Sequence, residues 1–107
     1  MLTKANVKPK DIETHGHFFG TIWQNTEKET IARNIVLISQ WNKNTWLDFT
    51  WEQYQAACEH EVTVKEESIL DSLVRDGSLT CENGVYSVTD EFVQALEKYL
   101  KNKGAVK

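Results

Sequence analysis

Between residues 63 and 100 the spacing of hydrophobic positions changes twice. Thr63 is placed to cap a helix in which Ile69, Leu70, Leu73 and Val74 fall on one face at helical spacing. Gly77 stands where a left-handed residue is needed to stop that helix. Residues 79–81 and 85–88 then flank Asn83 and Gly84, a pair that favours a two-residue hairpin turn. Thr89 opens a last helix with Phe92, Val93, Leu96, Tyr99 and Leu100 inward, ending at residues 102–104. Val88 before the cap and Val93 after it are spaced as a hydrophobic staple.

Upstream, Thr26 and Glu29 match a capping box, and Ile31, Ile35 and Ile38 repeat at helical spacing. Ile35, Val36, Leu37 and Ile38 are apolar all round one turn, wider than a one-sided surface helix needs. Such a turn lies at the centre of a core or is shared with a partner chain. The helix is expected to fade at residues 42–45. Residues 46–49 read as a short strand, and Thr50 with Gln53 opens a second helix around a Phe49–Tyr54 staple. Trp51, Tyr54, Ala57 and Cys58 line one face of that helix, which ends near His60. Only residues 61 and 62 separate it from Thr63, so the two helices must turn sharply. Residues 17–23 form a short aromatic and apolar run, either a strand or an irregular arm over the core. Residues 1–13 read as a flexible arm with nothing to bury.

The predicted fold is mainly α with a small β-hairpin, in the order helix, short strand, helix, helix, hairpin, helix. This order resembles a winged helix-turn-helix domain, similar in layout to bacterial MarR-type and PadR-type regulators. The resemblance rests on Leu70 and Leu73, on the run from Val74 to Leu79, and on the exit from the hairpin, Tyr86 to Phe92. It covers the region from Thr26 to Leu100. It divides the chain into an N-terminal arm (1–24, aromatic at 17–23), a winged-helix domain (25–103) and a tail (104–107). In such families the third helix enters the DNA major groove and the hairpin, or wing, contacts the backbone. The family often dimerises through its terminal helices.

Charge cuts against DNA as the partner. The third helix presents Lys65, Glu66, Glu67, Ser68, Asp71, Ser72, Arg75 and Asp76, two cations against four acids. The wing tip Glu82, Asn83 and Gly84 adds an acid and no cation. Duplex binding draws most of its non-specific affinity from cations that displace counterions from phosphates. The formal charge of the chain is −4, and its distribution is uneven. Seven lysines lie before residue 11 or after residue 97, leaving five bases against all sixteen acids between, a net of −11. These observations favour a non-catalytic adaptor or regulator that works by protein–protein contact. A DNA-binding transcriptional regulator is the alternative, with Ser68, Ser72 and Arg75 as contacts. An acidic protein that imitates DNA is a weaker one.

The remaining chemistry is sparse. At 107 residues the chain holds about one domain, and no run approaches the ~18 apolar residues of a membrane span. The polar, basic start is unlike a secretory signal, so a cytoplasmic location is expected. Two cysteines, Cys58 and Cys81, are read as reduced and at least partly buried. His15 and His17 could pair with Cys58 and His60 as zinc ligands, but Cys58 and His60 are two apart on a predicted helix, roughly 200° around it, and do not converge, so no metal is expected. No phosphate loop or nucleophile elbow is present, so neither a cofactor nor catalysis is expected. Four tryptophans serve a core and its lid, or else an aromatic arm seated on another subunit. On that second reading Phe18, Phe19, Trp23, Val36 and Leu37 are candidate contacts of a homodimer.

Overall fold

The computed structural model describes residues 2–14, 23–58 and 65–101. Its elements are α1 (Thr26–Trp41), α2 (Trp51–Ala57), α3 (Glu67–Arg75), β1 (Leu79–Glu82), β2 (Val85–Val88) and α4 (Asp90–Ala95). Two 3-10 turns, Pro9–Asp11 and Glu97–Tyr99, lie near the two ends. The architecture is thus mainly helical with one antiparallel hairpin, and the four helices fall where the hydrophobic spacing places them.

Local chemistry sets most boundaries. The N-cap of α1 is Asn25, whose side-chain oxygen accepts from the amides of Glu27 and Lys28. Thr26 is therefore the first helical residue, not the cap. Either residue type can cap, and the tandem Asn-Thr hid which one does. At α2 the Thr50–Gln53 capping box forms as expected, with reciprocal bonds of 3.1 and 2.9 Å. The Phe49 and Tyr54 rings meet across it with centroids 6.0 Å apart. Ala57, expected on the inward face, is exposed, because the buried line of α2 runs from Tyr54 to its C-cap Cys58, one turn on.

Helix α3 begins later than expected. Lys65 and Glu66 are not helical, and Glu66 occupies the N-cap position without a side-chain bond. Thr63 lies outside the described residues. The end of α3 follows the expected chemistry. Gly77 sits at φ +84°, its amide donates to Val74 O, and the Ser78 amide donates back to Leu73 O, both at 3.0 Å. These are the two bonds of a Schellman stop.

The hairpin turns through Asn83 (φ 55°) and Gly84 (φ 79°), the positive pair that defines a type I′ turn. Leu79 pairs with Val88, and Cys81 with Tyr86. Phe49 extends the hairpin by an isolated bridge on the other edge of β2, exchanging two main-chain bonds with Tyr86 at 3.0 and 2.7 Å. The strand expected at residues 46–49 is reduced to that bridge. Thr89 caps α4 by accepting from the Phe92 amide. The helix then tightens into the turn Glu97–Tyr99 rather than continuing to residue 102 as expected.

The core is one cluster centred on α1. Ile31, Ala32, Ile35 and Val36 are fully buried together with Phe49, Tyr54, Leu70, Leu73, Phe92, Val93 and Leu96. Trp23 is also inside, its ring 5.2 Å from Phe92 and its indole N–H bonded to Ser78 Oγ at 3.0 Å. Val7 and Ile12 are fully buried and Pro9 is buried. The expectation that residues 1–13 bury nothing is therefore corrected for the described part of that segment. Its apolar residues are few but well separated, which a reading by local density overlooks.

Candidate protein-binding face

The outward face of α3 and the hairpin beside it form the surface singled out by the sequence. One residue, Tyr86, joins the two. Alternation along β2 turns Tyr86 and Val88 inward, and Tyr86 is 3% exposed. Its ring stacks on Phe49 at 5.8 Å. Its hydroxyl lies 3.1 Å from Asp71 Oδ1 and 3.4 Å from Glu67 Oε2. With one proton to give, it donates to Asp71 foremost. Glu67 and Asp71 are four residues apart, neighbours on one helical face, where two like charges repel. The tyrosine hydroxyl lies between them, and its bond to Asp71 offsets part of that repulsion and holds Asp71 against the hairpin. Burial, the bond to Asp71 and the two negative charges all push the Tyr86 hydroxyl well above its ordinary range, so it stays protonated.

The other predicted residues fall around this pair. Lys65, Glu66, Glu67, Ser68, Asp71 and Arg75 are exposed, and Ser72 is half-buried. The Ser72 hydroxyl donates to Ser68 O at 3.3 Å and accepts from Arg75 Nη2 at 3.1 Å, so Arg75 is folded along its own helix. Asp76 is engaged by Lys28 of α1 at 2.6 Å. Glu82, Asn83 and Gly84 are exposed at the turn, where Val85 adds a partly exposed apolar side chain. Cys81, expected to be at least partly buried, is exposed although it shares a sheet face with its partner Tyr86, because burial along β1 stops after Leu79. The sequence reading missed Tyr86 as an anchor. Its signal was the alternation of residues 85–88 combined with acids four apart on the preceding helix.

Three of the five candidate dimer contacts, Trp23, Val36 and Leu37, lie among the described residues. Trp23 is buried in the core and Val36 is fully buried, so neither is available to another chain. Leu37 is half-buried on α1. Helix α1 packs against α3 and against the Pro9–Asp11 turn, and Ile35, Val36 and Ile38 of its wide apolar turn are buried within the chain while Leu37 is partly exposed. Phe18 and Phe19 lie outside the described residues. So do His15, His17 and His60, the other members of the possible metal set. Among the described residues, no three His, Cys, Asp or Glu side chains are placed to share a metal ion. No helix among them is long and apolar enough to cross a membrane.

Comparison with protein-family models, curated proteins and solved structures gave no match.

Proposed function

We propose that the chain is a non-catalytic adaptor or regulator of winged-helix layout that binds a basic protein segment through α3 and the hairpin. The hairpin directly after α3, and the Phe49 bridge beside it, support the winged-helix reading. The carrying observation is that the Tyr86 hydroxyl holds Asp71, with Glu67 beside it, on α3, the helix that a DNA-reading member would place in the major groove. Fixed carboxylates repel a phosphate backbone and attract lysine and arginine side chains. Glu66 and Glu82 extend the negative surface, while Arg75 is folded onto Ser72.

Two fluorescence-anisotropy titrations test this. A labelled lysine- and arginine-rich peptide is expected to bind at low salt and to weaken several-fold on Glu66→Lys with Glu67→Lys. A labelled mixed-sequence DNA duplex is expected not to bind at low salt, where attraction is least screened. Duplex binding that collapses as salt rises would overturn the proposal in favour of a DNA-binding regulator. Peptide binding indifferent to the two reversals would remove α3 as the contact face.

A further inference from the structure

Residues 2–14 are held by the rest of the molecule as a peptide is held in a groove. Val7 and Ile12 are fully buried anchors five residues apart, with Pro9 buried between them. Side-chain donors from three separate places reach carbonyls of the segment's main chain. The Trp46 indole N–H donates to Val7 O at 2.7 Å, the Gln40 amide to Pro9 O at 3.0 Å, and the Gln94 amide to Leu2 O at 3.1 Å. Along its far side the segment adds an antiparallel bridge, Ile12 to Leu100. There the Glu13 amide donates to Tyr99 O at 2.6 Å and the Lys101 amide to Asp11 O at 2.7 Å. Apolar anchors for fit and main-chain bonds for affinity are how extended peptides are recognised at exposed edges.

The segment also keeps much of its shape by its own bonds. The Thr3 amide donates to Asn6 Oδ1 at 2.8 Å and the Val7 amide to Thr3 O at 3.1 Å. The Lys8 amide donates to Asp11 Oδ2, and the Asp11 amide returns to Lys8 O, both at 2.9 Å. A ligand shaped by local turns loses less freedom on docking.

We infer that the groove lined by α1, Trp46 and residues 99–101 is a peptide site, filled in cis by residues 2–14 and able to take the same segment from a second copy of this chain. The occupant follows from the fit, because every anchor and carbonyl the groove reads is present on that segment. Exchange of an identical element between copies is a low-cost route to a dimer. Tethering gives the cis segment an effective concentration on the order of millimolar, so the unmodified chain keeps its own. This inference is independent of the α3 face.

The test uses full-length chain and a fluorescein-labelled peptide of residues 1–14. In a chain carrying Val7→Asp and Ile12→Asp the resident segment cannot bury its anchors, because an unpaired charge is too costly to desolvate. The labelled peptide is then expected to bind saturably, at least ~30-fold tighter than to the unmodified chain. A peptide carrying the same two aspartates is expected not to bind. Where the double variant does not fold alone, recovery of its near-UV circular dichroism on adding the unmodified peptide supports the inference equally. Ile12→Ala, which loosens the segment without a charge, is a second host with the same expected order of affinities. No saturable binding to either host, or equal affinity for the unmodified and aspartate peptides, overturns it.

Discussion

Asn25 rather than Thr26 receives the first free amides of α1, and this assigns a cost to each residue. Asn25→Ala is expected to lower stability by about 1 kcal/mol and Thr26→Ala by only a few tenths, read from urea midpoints. The reverse order would show that the threonine caps instead. Tyr54 carries a different kind of information. It is fully buried, and its hydroxyl accepts from Asn34 Nδ2 at 3.0 Å. Burial pushes that hydroxyl above its ordinary value of 10, and the Asn34 bond offsets only part of the shift. In the unfolded chain Tyr54 loses its proton from about pH 10, while in the folded chain it keeps it. Its contribution is therefore complete below pH 10 and is lost as pH rises beyond it, by up to about 1.4 kcal/mol per pH unit. Denaturant midpoints at pH 9 and pH 11, compared between the unmodified chain and Tyr54→Phe, separate this decline from that of Tyr86. Tyr54→Phe is expected to cost about 1 kcal/mol at pH 7 and to make the decline shallower.

At the scale of elements, the features legible in the sequence are those whose causes lie within a few residues. The Thr50–Gln53 box, the Gly77 stop, the Asn83–Gly84 turn and the Thr89 cap each need only their neighbours, and each forms. The features that were not legible depend on distant partners. The wide apolar turn of α1 does not tell from sequence that three of its four residues, Ile35, Val36 and Ile38, are buried within the chain. Tyr86 gains its role only because the hairpin folds back so that its hydroxyl reaches Asp71 on α3. Residues 2–14 carry few hydrophobic side chains, and their value comes from where Trp46 and Gln40 stand. If Val36 is buried as described, Val36→Ala leaves a cavity and lowers stability by roughly 2 kcal/mol. The sedimentation of the dilute protein is expected not to change. Dissociation of an existing dimer by that substitution would restore the interface reading.

Across the whole molecule, one small core depends on two stretches almost the full length of the chain apart. Folded domains are stable by only about 5–15 kcal/mol, and Ile→Ala at a buried site costs about 2–5 kcal/mol. Ile12→Ala is therefore expected to remove a large share of the stability from a position that reads as part of a loose arm. A thermal melt in which Ile12→Ala matches the unmodified chain would show that the bridge to Leu100 adds little. That bridge also sets an order of events when the protein is made. Ile12 is synthesised well before its partner main chain at residues 99–101. At about 5–20 residues per second, the wait on the ribosome is several seconds or more. During that interval Val7, Pro9 and Ile12 have no finished groove to enter. A nascent chain stalled before residue 99 is one whose first segment is still open to whatever else in the cell can hold it.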